Sequence, residues 1–258
     1  MCRHLAYLGS PAPLASLVTE PPHSLVVQSY ACRELLRGSV CADGFGVGWY
    51  PDGDPLPAVY RREQPIWADT DLGSVCRAVR SGCFVGSVRN ATIGIPWGPA
   101  SVQPMPHQGH LFCHNGGILD FASHVRELRG RLPDDLFRVV KGGSDTETLF
   151  MLVLTRVREA GGHLVAGLRA ALREVQELSP GSGLNTLLPD GRTLVASRYA
   201  GEAPNDSLYL LTGGQRLPGG TVVASERLDQ DPGWQPVPAN TLVVLRPGEA
   251  PGLTAVAA

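Results

Sequence analysis

The sequence predicts an α+β fold, two antiparallel sheets with helices on the outside, and three observations carry that expectation. Short strand-like runs crowd the first half, two stripes at helical spacing fill the middle, and strands return after Pro180. The early runs cover residues 5–8, closed by Gly9; 45–50, closed by Pro51; 84–89; and 110–114. Apolar, β-branched and aromatic residues bounded by Gly and Pro read as strands.

Helices are expected over about residues 24–36 and 69–80. In the middle, residues 145–160 carry Leu149, Leu152, Val153 and Val157 on one face, and Leu164, Leu168, Leu172, Val175 and Leu178 form a second stripe. Both have the 3.6-residue period of an amphipathic helix. Strands are then expected over 184–188, 193–197, 207–212, 221–224 and 241–246, broken by Asp190-Gly191 and Gly213-Gly214 turns. The Gly/Pro-rich stretch 95–106 fits a loop over a site. No repeat or internal boundary stands out, so one domain over residues 2–258 is expected.

The bulk composition narrows the function classes. The 258 residues are 43% hydrophobic and 18% charged, with a net charge of −2, an ordinary globular balance. Neither a nucleic-acid nor a membrane surface is expected as partner at that charge. No run approaches the roughly 18 apolar residues that span a bilayer. Met1-Cys2-Arg3-His4 does not open a signal peptide, so a cytoplasmic location is expected. Cysteines at 2, 32, 41, 76, 83 and 113 form no CxxC pair and read as reduced thiols. The sequence sets no oligomeric state.

Cys2 differs from the others by position. Removal of Met1 would leave one residue carrying both a thiol nucleophile and an α-amine, whose ordinary pKa of about 7.7–8.0 suits a general base. Three motifs further along complement it. Gly86-Ser87-Val88-Arg89-Asn90-Ala91-Thr92 places a guanidinium at a strand end, suited to bidentate capture of a carboxylate, with the Thr92 hydroxyl as an extra donor. Phe112-Cys113-His114-Asn115-Gly116-Gly117 opens a strand into a side-chain amide and a backbone N–H, the donors an oxyanion needs. Gly142-Gly143-Ser144-Asp145-Thr146-Glu147 has capping-box spacing, with Asp145 at a helix start where its carboxylate can also face a pocket and bind an ammonium. Read singly, these are a surface arginine, an Asn-Gly turn and a helix cap.

Together and in this order they resemble the class-II glutamine amidotransferases, the cysteine-type N-terminal-nucleophile glutaminases. The resemblance implies a four-layer αββα sandwich with no cofactor or metal. It implies Cys2 as nucleophile and, through its amine, base. Asn115 and Gly116 would form the oxyanion hole, Arg89 and Thr92 would hold the α-carboxylate of a small-molecule γ-glutamyl substrate, and Asp145 its α-ammonium. Asn90 and Gln103-Pro104 depart from an aromatic and a His-Pro element of many members, which puts a standard free-glutamine pocket in question.

The runs Cys2 to Gly9, Glu20 to Leu25, Gln28-Ser29, Ala42 to Tyr50 and Pro65 to Asp69 look like one group within that family, the γ-glutamyl amidohydrolases of ergothioneine biosynthesis. That likeness implies hydrolysis of γ-glutamyl-hercynylcysteine sulfoxide to glutamate and hercynylcysteine sulfoxide through a Cys2 thioester. The alternatives are the glutaminase subunit of a two-chain amidotransferase delivering ammonia to a synthase, and a non-catalytic binding module.

Other residues take blander roles. His107, His110 and His114 match no ligand spacing, and His4 reads as packing beside Cys2 rather than as its base. Ser225 and Glu226 read as structural support. Trp49, Tyr50, Trp67 and Trp97 are candidate faces for a trimethylammonium group, and each reads first as a core or lid aromatic.

Overall fold

A computed structural model describes residues 2–36, 38, 40–90 and 98–256. Thr92, Trp97 and the first part of the 95–106 stretch lie outside them. The strands are β1 (Arg3–Pro13), β2 (Phe45–Trp49), β3 (Ala58–Arg62), β4 (Arg80–Val88), β5 (Met105–His107), β6 (His110–Gly117), β7 (Gly183–Pro189), β8 (Leu194–Arg198), β9 (Tyr209–Thr212), β10 (Gly220–Ala224), β11 (Gln235–Pro236), β12 (Thr241–Leu245) and β13 (Gly252–Ala255). The helices are α1 (Ala15–Val18), α2 (Leu25–Tyr30), α3 (Leu72–Ala78), α4 (Phe121–Gly130), α5 (Asp134–Phe137), α6 (Asp145–Glu159) and α7 (Leu164–Leu178).

These strands form two sheets, β11-β9-β10-β1-β4-β2-β3 and β13-β12-β8-β7-β6-β5, with antiparallel pairing throughout. Because side chains alternate along a strand, each strand feeds two cores. On β1, Leu5 and Tyr7 join Leu14, Leu17, Leu25 and Leu72 under α1, α2 and α3. Ala6 and Leu8 join Val85, Leu111, Cys113, Leu187, Ala196 and Val223 between the sheets. Phe112, Leu184 and Val195 meet the buried faces of α6 and α7. Three apolar interlayers make four layers, the αββα sandwich that the resemblance implied.

The elements near the site have local causes. α6 begins after its N-cap Ser144, whose hydroxyl accepts the Glu147 N–H; the Glu147 carboxylate accepts the Lys141 and Gly142 N–H groups instead of closing a capping box on Ser144. α6 is held to β6 by the stacked rings of Phe112 and Phe150, centroids 4.9 Å apart. Burying side chains such as these contributes about 1.5–3 kcal/mol each. α2 ends at Tyr30, well before residue 36, because the backbone N–H groups of Arg33, Glu34 and Leu36 turn to Glu226 and Asp206 instead. α3 spans only Leu72–Ala78 of the expected 69–80; the Asp69 carboxylate takes the N–H groups of Asp71 and Leu72 ahead of it.

Candidate active site

β1, β4, β6 and the start of α6 converge on one small cavity, lined by Cys2, Arg89, Gly116 and Asp145 with Asn90, Ser101, Gln103, His114, Ser144 and Thr146. Five of the six expected residues therefore come together, with Asn115 joined through Cys2; Thr92 falls outside the described residues.

Cys2 precedes β1 and is buried. Its nitrogen donates to Asn115 Oδ1 at 2.9 Å. That bond fixes the orientation of the Asn115 amide: the oxygen must face Cys2, so the NH₂ group points the other way. There Nδ2 is buried and has no hydrogen-bond partner among the described residues. A buried unpaired donor is costly, of order 1–3 kcal/mol, and is suited to an incoming oxygen. Gly116 follows at φ +141, where an added Cβ would come 2.0 Å from Gly183 O, so the strand admits no side chain there.

The charged walls are also buried. Arg89 ends β4 by pairing its backbone with residues 43 and 44, and its Nη1 lies 3.5 Å from Asp43 O. No carboxylate pairs with it among the described residues. Asp145 accepts the Ile118 N–H at 3.0 Å and the Thr146 N–H at 2.8 Å, one on each oxygen. It too has no ionic partner among the described residues. A buried cation and a buried anion on one cavity suit a ligand end bearing both opposite charges.

Two neighbours were not found from sequence. Gln103 clamps the site strand: its Oε1 accepts the His114 N–H at 2.6 Å and its Nε2 donates to His114 O at 3.0 Å. Arg3 is fully buried, and its Nε donates to Cys2 O at 2.7 Å. Its Nη2 meets Asp206 at 3.0 Å and its Nη1 meets Glu226 at 3.4 Å. A charged residue beside the N-terminus reads as solvent-exposed, and only a buried carboxylate far along the chain reveals otherwise.

The remaining candidates fall into place. His4 is fully buried with both ring nitrogens unpartnered among the described residues. Burial first, then the neighbouring Arg3 guanidinium, pulls its pKa down to about 3. It is neutral at working pH, and its ring packs between the sheets. Ser225 exchanges bonds with the His4 backbone, and Glu226 belongs to the Arg3 cluster. His114 Nε2 donates to Gly183 O at 2.9 Å, which leaves Nδ1 to accept from the Thr146 hydroxyl at 3.2 Å. His107 and His110 face each other across the β5–β6 turn. No His/Cys/Asp/Glu group able to hold a metal occurs among the described residues. None of the six cysteines is in a disulfide among the described residues. The Tyr50 hydroxyl donates to Pro189 O at 2.7 Å, with Gly109 O 3.0 Å away, as a core strut, whereas Trp67 is 44% exposed and meets Tyr30 edge-on at 5.9 Å. No helix is long and apolar enough to cross a membrane among the described residues.

The family profile described as glutamine amidotransferases class-II matches residues 13–211. A protein of Mycolicibacterium smegmatis named gamma-glutamyl-hercynylcysteine sulfoxide hydrolase is 37% identical over 246 residues, 95% of this chain and 96% of its own. Among solved structures, a glutamine aminotransferase class-II domain protein from Silicibacter pomeroyi superposes with a TM-score of 0.72 at 25% identity, covering 98% of this chain and 99% of its own. The glutamine phosphoribosylpyrophosphate amidotransferase of B. subtilis superposes at 0.68 with 17% identity, over 99% of this chain and 49% of its own, and shares the fold.

Proposed function

The chain belongs to the class-II glutamine amidotransferase family, and we propose that it is a hydrolase of γ-glutamyl-hercynylcysteine sulfoxide with Cys2 as N-terminal nucleophile. The observation that carries this reading is the shared cavity, in which Cys2 and Gly116 stand beside the buried Arg89 and Asp145, neither with an ionic partner among the described residues.

Arg89 holds the α-carboxylate of the glutamyl end through its planar fork, and Asp145 holds the α-ammonium. Thr92, next to that end in the chain, adds a hydroxyl to the carboxylate. Two opposite charges gripped at one end fix where the γ-carbonyl lies, which converts binding into orientation. With Met1 removed, Cys2 nitrogen is an amine; one N–H stays on Asn115 Oδ1 and the lone pair is left to take the thiol proton. The thiolate sulfur then bonds to the γ-carbonyl carbon. The carbonyl oxygen gains negative charge, which Asn115 Nδ2 and the Gly116 N–H stabilise. The amine passes the proton to the departing nitrogen as the C–N bond breaks, leaving a γ-glutamyl thioester and releasing hercynylcysteine sulfoxide. Water, deprotonated by the same amine, attacks the thioester; glutamate leaves and the thiol is restored.

The 37% identity over nearly the full length of the mycolicibacterial hydrolase supports the choice of leaving group. The test uses purified, Met1-free protein. It should release glutamate from γ-glutamyl-hercynylcysteine sulfoxide at least about tenfold faster, in kcat/KM, than from free glutamine, and Cys2→Ala should lose turnover by roughly 10³-fold or more. Equal or faster turnover of glutamine, or activity only with a synthase present, would sink the reading in favour of an amidotransferase subunit.

A further inference from the structure

We propose that Arg3, held by Asp206 and Glu226, is a positioning residue that pins the nucleophile and ties it to the backbone of Arg33, Glu34 and Leu36. The inference rests on Cys2 being the nucleophile.

Arg3 uses all three arms of its guanidinium. One goes back along the chain to Cys2 O, and the other two go to carboxylates that are themselves buried. Cys2 is thereby held on both sides of its Cα, its nitrogen on Asn115 and its carbonyl on Arg3. The remaining freedom of the nucleophile is rotation of the thiol about χ1, the motion that carries sulfur between amine and substrate. A backbone so fixed keeps the attacking atom within the narrow range that reaction needs.

Stability does not explain such a cluster. Buried ion pairs are often replaced by apolar groups of similar size with no loss of stability, because desolvation offsets the attraction. The Arg3 arms instead reach two functional places. Glu226 also accepts the N–H groups of Arg33 and Glu34 and the His23 ring at 2.6 Å, and Asp206 accepts the Leu36 N–H at 3.4 Å. Two residues further on, Gly38 lies against Asn90, which lines the cavity; a Cβ on Gly38 would come 2.5 Å from Asn90 Nδ2. The Cys2 carbonyl and the backbone of Arg33, Glu34 and Leu36 are thus connected through one guanidinium and two carboxylates.

The arrangement also sets the charge that the Cys2 amine experiences. Besides Arg3, Asp206 and Glu226, the titratable and charged groups around it are His4, His23, Cys32, Cys41 and Cys113 and, on the cavity, Arg89, His114 and Asp145. Glu226 is held below the usual carboxylate range by the His23 bond and the backbone N–H groups, so it stays ionised. Removing the Arg3 cation leaves two carboxylates, which favour the ammonium form of the amine and deprive it of its role as base.

The experiment compares wild type, Arg3→Lys, Arg3→Met and the triple variant Arg3→Met/Asp206→Asn/Glu226→Gln, with rates normalised to the Met1-free fraction by intact mass. The triple variant removes the buried charges together, so no ion is left stranded. It should keep its melting temperature within a few degrees, lose roughly 10²-fold in kcat and change KM by less than about threefold. Arg3→Met should move the acid limb of the kcat profile to higher pH. Arg3→Lys, which keeps the charge and loses the fork, should lose about tenfold in kcat with that limb unmoved. Wild-type kcat in Arg3→Lys, or in a folded triple variant, overturns the proposal. So does a loss that tracks melting temperature with the pH profile unchanged. Activity surviving in Cys2→Ala would instead overturn the proposed function, and the two failures are distinguishable.

Discussion

The space between the two sheets has an apolar end and a polar end, built by the same strands. Along β1 the inward positions run from Leu8 and Ala6 to His4, with Cys2 just before the strand; along β4 from Cys83 and Val85 to Ser87, with Arg89 just after it. β6 runs from Leu111 and Cys113 to Asn115, and β7 from Leu187 to Asn185. The apolar end is fully packed. The polar end leaves His4, Ser87 and Asn115 with buried atoms that have no partner among the described residues. Each such atom costs of order 1–3 kcal/mol. The strands therefore gain stability at one end and hold strained polarity at the other, where the proposed chemistry takes place. Alternation, which makes every inward residue available, is what allows both.

That division can be broken by mutation. The largest effect is expected at the polar end: Asn115→Ala should lower kcat by about 10²–10³-fold while barely moving the denaturant midpoint. At the apolar end, Leu187→Ala should cost about 2–5 kcal/mol of unfolding free energy, read from a urea titration, with kcat of the folded fraction unchanged. Swapped outcomes would erase the distinction between the two ends. The smallest effect concerns His4, whose folded pKa of about 3 lies below its ordinary 6.5. Between those values the unfolded chain binds a proton that the folded chain refuses. Stability is therefore full above pH 6.5 and drains as the pH falls. His4→Leu should flatten that decline, so its melting temperature should fall less than wild type between pH 7 and pH 5. An unchanged slope would mean that His4 takes up its proton in the folded state.

How much of this was legible in the sequence depended on how local the cause was. α7 matches its apolar stripe to the residue, and α6 starts where its cap predicts, because helix period and capping are short-range signals. β3 and β13 were missed because edge strands with half-exposed or exposed faces carry little alternation. α4 was missed because Leu128 alone is buried along it, and Asp120 ahead of it sits at positive φ with no side-chain cap. α2 was drawn too long because the acceptors that end it, Asp206 and Glu226, lie some 170 to 190 residues away in the chain. The same reason hides Arg3. Cys2, Arg89, Gly116 and Asp145 were legible as a set by residue type and order, and one cavity gathers them, with Asn115 hydrogen-bonded to Cys2.

The Gln103 clamp has one more consequence. The β5–β6 ladder pairs Met105 with Phe112, and the next rung by register would join residue 103 to His114. Gln103 makes that rung with its side chain, donating to and accepting from the His114 backbone. A sheet edge beside a nucleophile is ordinarily a place where an extended peptide adds itself as a further strand. Here the edge is already closed by a side-chain amide. The His114 N–H and C=O are thus taken by a side chain, and an incoming strand finds no free backbone pair there to extend the sheet toward Cys2.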